Sequence, residues 1–200
     1  MIAIVDYDMG NLRSIENALG RLGAEYCVTR DAATIVSADK VLLPGVGNAA
    51  EAMENLRASG LDKVIPSLRQ PVLGICVGMQ IMCRDSEETS GGDSVLTQCL
   101  GIFDSHVRRF AASPEAKVPH MGWNSIGNTD SKLFKDIKGG YVYFVHSFYP
   151  TLCQDTIATC RHGEVLFSAA LKYENFYGTQ FHPEKSSDLG EKILANFIAL

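Results

Sequence analysis

Pro71-Val72-Leu73-Gly74-Ile75-Cys76-Val77-Gly78-Met79-Gln80-Ile81-Met82 decides how this chain is read. An apolar run that ends in G-x-C-x-G and passes straight into a helix-period pattern marks a nucleophile elbow, here with cysteine at its apex. Glycines two before and two after the nucleophile let a crowded strand-to-helix turn pass without a Cβ clash, and Gly74 and Gly78 hold those places. The same turn is expected to leave the amide of Val77 free to bind an oxyanion. It also sets the Cys76 sulfur over a helix N-terminus, whose partial positive charge favours thiolate.

Working outward, the first half alternates short apolar runs with helix-period segments, the pattern of a parallel sheet covered on both faces. Strands are expected at Ile2–Val5, Tyr26–Thr29, Val41–Leu43 and Val72–Ile75. Asn11 can cap a helix with Leu12, Ile15, Leu19 and Leu22 on one face and Gly23 past its end, and Asn48 opens a second that runs through Ala52, Met53 and Leu56 to Gly60. Ser86 to Gln98, with Glu87, Glu88, Gly91, Gly92 and Asp93, lacks apolar periodicity and reads as an exposed loop. After it come strand-like runs, Gly101–Phe110, Tyr141–Tyr149, Thr156–Cys160, Val165–Tyr173 and Phe176–Phe181, and a last helix through Ile193, Leu194, Phe197 and Ile198. The fold class is therefore α/β: an open, mostly parallel, doubly wound sheet with flanking helices and additional antiparallel strands in the second half.

A chain of 200 residues suits one such domain, 1–200. With 46% hydrophobic and 20% charged residues it can bury a full core and lacks the composition of disorder. The net charge of −5 supplies no electrostatic footprint for nucleic acid or an anionic membrane. Cysteines at 27, 76, 83, 99, 153 and 160 form no C-x-x-C pair and no zinc spacing, so no metal is expected. Met1 leads directly into a strand rather than a signal peptide, and no apolar run approaches the roughly 20 residues of a membrane span, so a cytoplasmic protein is expected.

A cysteine nucleophile needs a base and then an acid for its leaving group. Of five histidines, His182 in Phe181-His182-Pro183-Glu184 has an obvious carboxylate to orient it, whereas His106 and His162 sit among charges and read as solvated. Residues two apart in extended chain share a face, so Glu184 can fix the imidazole tautomer as the third member of a triad. Pro44-Gly45-Val46-Gly47-Asn48 follows a strand and opens a helix, which places it at the same sheet edge and lets it offer a second oxyanion donor. Glycines on both sides of Val46 lower the cost of rotating a peptide plane, so that donor is expected to form only in the active complex. The other cysteines read as small core hydrophobes.

Pro44–Gly47, Gly74–Gln80 and Phe181–Glu184, in this order and at these distances, resemble class I (triad-type) glutamine amidotransferases over almost the whole chain. Asp6-Tyr7-Asp8-Met9-Gly10-Asn11-Leu12-Arg13-Ser14, Pro119-His120-Met121-Gly122-Trp123-Asn124, Phe144-Val145-His146-Ser147-Phe148-Tyr149 and His182-Pro183-Glu184-Lys185-Ser186 are similar, more narrowly, to the glutaminase subunits of imidazole glycerol phosphate synthases. The resemblance implies that Cys76 attacks the side-chain amide of L-glutamine, that His182 protonates ammonia and then activates water, and that Glu184 orients His182. It implies that Val46, Gly47 and Val77 surround the oxyanion. Gly47, Gln80, Glu88 and the backbone around His146, Ser147 and Phe148 would hold the glutamine. It implies no cofactor, and a (β/α)₈-barrel cyclase subunit as heterodimer partner, which receives the ammonia to make imidazole glycerol phosphate and AICAR in histidine biosynthesis. Asn11, Arg13, Ser14, Trp123, Asn124, Tyr141 and Lys185 are the residues assigned to that interface. Val77 stands where leucine is common, which leaves a main-chain role untouched, and Asp104-Ser105-His106 replaces a more usual Pro-Gly stretch. Glutaminases of anthranilate, guanylate or pyridoxal phosphate synthesis share the class motifs but differ in the oxyanion loop and around Trp123. A redox protein with a cysteine elbow would need neither His182 with Glu184 nor Gln80.

Overall fold

Every residue of Ile2–Val5 (β1) and Val72–Ile75 (β4) is buried, as strands covered on both faces must be. They lie in the half of a computed structural model, describing residues 1–90, 95–114, 116–127, 129 and 131–200, that alternates strand and helix. In chain order this half runs β1, α1 (Leu12–Arg21), β2 (Tyr26–Thr29), α2 (Ala32–Ser37), β3 (Lys40–Leu43), α3 (Ala49–Ser59), α4 (Leu61–Val64), β4 and α5 (Val77–Gln80). The side chain of Asn11 caps α1 by accepting from the Ser14 amide at 3.4 Å, and that of Asn48 caps α3 by accepting from Ala50 and Glu51. The second half holds β5 (Asp85–Ser86), β6 (Thr97–Gln98), β7 (His106–Arg109), β8 (His120–Gly127), β9 (Gly140–His146), β10 (Phe148–Pro150), β11 (Thr156–His162), β12 (Val165–Tyr173), β13 (Phe176–Thr179) and α6 (Ser187–Ile198).

Among the described residues the main sheet has nine strands, in the order β2-β1-β3-β4-β13-β12-β11-β8-β9. From β2 to β13 the pairs are parallel, and from β13 to β9 they are antiparallel, so the sheet is mixed α/β as the sequence indicates, with its antiparallel share larger than the phrase mostly parallel conveys. The sequence also does not announce a second sheet, β10-β7-β5-β6. Its short strands take their hydrogen bonds from distant partners, which local pattern cannot reveal.

Several boundaries move for the same reason. The run Gly101–Phe110 is strand only at β7, and Tyr141–Tyr149 is cut at Ser147, with β9 entering the main sheet and β10 the small one. The expected exposed loop Ser86–Gln98 begins with a fully buried Ser86 in β5 and ends in β6, while Gly91, Gly92 and Asp93 lie outside the described residues. Nor are His106 and His162 simply solvated: His106 Nδ1 meets Asp85 at 2.8 Å, and the His162 ring stacks on His120. No helix among the described residues is long and apolar enough to cross a membrane.

Candidate active site

Cys76 sits at the carboxyl end of β4 with φ 55 and ψ −113, a left-handed conformation that a non-glycine residue holds only under constraint. The constraint is backbone packing. The Cys76 amide donates to the Thr179 carbonyl at 2.8 Å on the neighbouring β13, which ties the elbow to the sheet. A Cβ on Gly78 would stand 1.9 Å from the Leu43 carbonyl oxygen, and one on Gly74 would stand 2.7 Å from that of Gly78. Strand β3, the elbow and α5 therefore touch main chain to main chain, and only hydrogen fits at those positions.

His182 follows β13 and is clamped from two sides. Its amide donates to the Tyr143 carbonyl at 2.9 Å, while the Ser186 hydroxyl donates to the His182 carbonyl at 2.6 Å and accepts from the Tyr143 amide at 2.9 Å. Glu184 Oε1 lies 2.8 Å from His182 Nδ1, and both side chains are almost wholly buried. Burial disfavours the imidazolium most, but the charge and hydrogen bonding of Cys76, then those of Glu184, outweigh it and push His182 up to about 10. Nε2 has no well-aligned partner in this resting geometry, so the thiol contact is electrostatic and loosely directed, as is common before substrate arrives. Nε2 and Glu184 Oε2 are two of the buried polar side-chain atoms left unpaired among the described residues, and both belong to this cluster.

A cleft of about 180 Å³ opens in front of the sulfur, lined by Val46, Gly47, Cys76, Val77, Gln80, Glu88, Val145, His146, Ser147, Phe148 and His182. The substrate-holding residues expected from sequence, Gly47, Gln80, Glu88, His146, Ser147 and Phe148, thus share one cavity with Cys76 and His182, and Glu184 stands behind the histidine. Gln80 Nε2 donates to the Phe148 carbonyl at 3.0 Å and to Gln180 Oε1 at 2.9 Å. Glu88 Oε2 accepts from the Ala49 amide at 2.8 Å at the N-terminus of α3; burial raises its pKa against that bond.

The oxyanion expectation needs one correction. Val77 N–H is not free: it donates to the Gly45 carbonyl at 3.3 Å. A Cβ on Gly45 would lie 2.4 Å from the Gly78 amide nitrogen, so the Pro44–Gly47 loop rests directly on the elbow and its nearest carbonyl takes the buried donor. Val46 and Gly47 (φ +92) do face the cleft.

Three contributors went unread in the sequence. Gln180, fully buried, joins Gln80 to Cys76, its Nε2 lying 3.7 Å from Sγ. Ser186 clamps the His182 segment. Tyr7, buried, donates its hydroxyl to the Pro44 carbonyl at 2.6 Å and so anchors the oxyanion loop; burial first, and the Cys76 charge second, raise its pKa. Ser186 and Tyr7 lie inside the runs His182–Ser186 and Asp6–Ser14, which mark no role for them, and no motif marks Gln180, which adjoins Phe181.

Of the residues assigned to a partner interface, Trp123 and Tyr141 are 53% and 66% exposed, and Arg13 and Lys185 are exposed as well. Asn11 and Ser14 are half-buried and engaged with each other as helix cap. Asn124 departs from the group. It lies on the opposite face of β8 from Trp123, and its amide donates to His120 Nε2 at 3.1 Å and to the Arg161 carbonyl at 2.8 Å.

The family model described as glutamine amidotransferase class-I matches residues 3–200. The imidazole glycerol phosphate synthase subunit HisH of Bacteroides thetaiotaomicron is 53% identical over 201 residues, covering 100% of this chain and 99% of the relative. Its counterpart in Vibrio parahaemolyticus is 41% identical, covering 100% and 98%. Among solved structures, a glutamine amidotransferase superposes with a TM-score of 0.71 at 17% identity, covering 100% of this chain and 98% of that one, and PurLQS from Thermotoga maritima with 0.68 at 15%, covering 99% and 97%. At those identities the structural likeness concerns the fold.

Proposed function

Since the chain belongs to the class I glutamine amidotransferases, and within them groups with the HisH subunits of imidazole glycerol phosphate synthase, we propose that it hydrolyses L-glutamine through Cys76, His182 and Glu184. One catalytic domain, 1–200, carries the whole reaction. The observation that carries the reading is a left-handed cysteine at a strand-to-helix elbow, facing a buried His–Glu pair across a cleft with room for a small amino acid.

The Cys76 sulfur attacks the carboxamide carbon of glutamine and the C=O electrons move onto oxygen. His182, held as imidazolium by Glu184 and the sulfur, gives its proton to the departing nitrogen as the C–N bond breaks, leaving a γ-glutamyl thioester and ammonia. The neutral imidazole then takes a proton from water, whose oxygen attacks the thioester; glutamate leaves and the thiolate–imidazolium pair returns. Glu184 keeps the proton on Nδ1 throughout, so that Nε2 is the edge that gives and takes.

In the resting geometry the oxyanion has no open donor at Val77, because the Gly45 carbonyl occupies it. Rotation of the Gly45–Val46 peptide plane removes that carbonyl and turns the Val46 N–H toward the cleft, which supplies both donors at once. The resting subunit is therefore a weak glutaminase.

Ammonia kept from water retains its lone pair, whereas in bulk at neutral pH it is protonated and useless as a nucleophile. A partner that covers the cleft meets that need. Met121, Trp123 and Tyr141 are exposed on the β8–β9 face that also carries Val145, whose carbonyl lies 4.0 Å from the Cys76 sulfur. That face fits the barrel cyclase of imidazole glycerol phosphate synthase, which joins the ammonia to its ribulosyl aminoimidazole carboxamide substrate. The test is ammonia release from glutamine with and without the cyclase and its ligand. Turnover should rise steeply in the liganded complex; equal turnover of free and bound subunit overturns the gate.

A further inference from the structure

His120 packs between His162 and His146, the last of which lines the cleft, and the reaction above gives none of their side chains a part. The His120 ring is stacked between Phe144 and His162, with centroids at 4.7 and 4.2 Å. Its hydrogen bonds run in a forced direction. A backbone carbonyl only accepts, so the 2.7 Å contact of His146 Nδ1 with the Phe148 carbonyl puts the His146 proton on Nδ1. His146 Nε2 is then an acceptor, and His120 Nδ1, 2.9 Å away, must be the donor. His120 Nε2 in turn accepts from the Asn124 amide at 3.1 Å. Beyond Phe148 the chain continues, because the same carbonyl accepts from Gln80, Gln80 donates to Gln180, and Gln180 approaches the Cys76 sulfur.

Resting on the glutaminase reading of the cleft, we infer that His120 is a positioning residue for glutamine binding: its N–H anchors the His146 ring, whose own N–H holds the Phe148 carbonyl that Gln80 leans on. Without the His120 N–H, His146 Nε2 is a buried acceptor with no donor. The proton stays on Nδ1, because on Nε2 it would be a buried donor without an acceptor and would set Nδ1 against the Phe148 oxygen lone pair to lone pair; the ring, no longer anchored at Nε2, instead tilts in its pocket. The Phe148 carbonyl loses its fixed position with the ring, and one of the two supports of Gln80 in the cleft wall is weakened. Both rings must stay neutral for the chain to hold, since a second proton on either sets donor against donor. Burial secures this, holding His146 down to about 3 against the opposing Phe148 bond, and His120 to about 4 with His162 assisting. A metal role does not fit, because the ring nitrogens are bonded to one another, and among the described residues no such cluster of three ligands is present.

His120→Phe keeps the ring stack and removes both nitrogens; His120→Asn restores a donor beside His146. The variants are assayed in complex with the cyclase for glutamine KM and kcat and for Cys76 alkylation by iodoacetamide, and the histidine tautomers are read by ¹⁵N NMR. The expected result for His120→Phe is a KM raised about tenfold, the equivalent of one lost neutral hydrogen bond, with kcat within about twofold. Alkylation should be unchanged, the His146 Nε2 resonance should move toward that of an imidazole nitrogen with no donor while Nδ1 stays protonated, and His120→Asn should recover most of the KM. An unmoved KM with an unmoved His146 Nε2 resonance in the folded Phe variant overturns the role of His120. A wild-type complex that hydrolyses no glutamine strikes instead at the glutaminase reading, and the tautomer measurement still reports on the hydrogen-bond chain.

Discussion

His182 and His146 show how two imidazoles in one cleft are driven to opposite charge states. His182 faces a carboxylate and a sulfur and keeps its proton, whereas His146 faces a carbonyl and another histidine and gives its second proton up. The consequences for stability have opposite signs. Unfolded His146 and His120 take up protons near 6.5 and the folded rings do not, so the unfolded chain binds more protons and stability falls as pH drops from 6.5 toward 4, by about 1.4 kcal/mol per pH unit for each ring. His182 binds its proton more tightly when folded; its contribution is complete below 6.5 and is lost as pH rises toward 10. Urea denaturation across pH 4.5–7 checks the acid limb, and His120→Phe should remove its own share, about half of the slope, leaving that of His146. At the nucleophile, Cys76→Ala should abolish glutamine hydrolysis while added ammonia still supports cyclisation by the partner; loss of both activities marks a folding defect instead. The placement of Cys76, His182 and Glu184 was legible in the sequence because its parts are local, a Gly-flanked elbow and a His–Glu pair two residues apart. The occupied Val77 amide was not, because it depends on the Pro44–Gly47 loop, some thirty residues upstream, resting on the elbow.

At the scale of elements, close backbone contact governs where substitution is tolerated. Gly78→Ala drives a methyl into the Leu43 carbonyl and should destabilise the fold by roughly 3 kcal/mol or more. Gly60→Ala, in open space at φ +72, should cost only about 1 kcal/mol, and thermal melts distinguish the two. Strands β1, β3 and β4 were readable because parallel strands buried on both faces are continuous apolar runs, and β2, a half-buried edge strand, by its β-branched and aromatic residues. Strand β8 was not, and the reason lies in what it turns inward: His120, Gly122 and Asn124 occupy its inner face while Met121 and Trp123 stand outside, so the usual alternation is inverted. Helix α2 is six residues long and leans on Asp31 as its cap, too short to show a period.

Over the whole molecule, the parallel half of the sheet supplies the elbow and the antiparallel half supplies an edge strand, β9, that reaches from the exposed Tyr141 to His146 in the cleft wall. Trp123→Ala should weaken association with the cyclase at least tenfold, read by titration calorimetry, while leaving the isolated subunit's melting temperature within a few degrees, as expected for an exposed anchor. The cleft's membership was readable because most of its walls belong to motifs, Glu88 apart, but its internal wiring through His120, Gln180 and Ser186 rests on long-range contacts that no spacing announces. The carbonyl that plugs the Val77 amide has a pharmacological corollary. A γ-aldehyde of glutamate captured as a hemithioacetal needs a solvated or donor-bound oxygen, so it should inhibit the assembled, ligand-activated synthase far more tightly than the lone subunit. The ratio of the two inhibition constants would then serve as a direct gauge of inter-subunit communication.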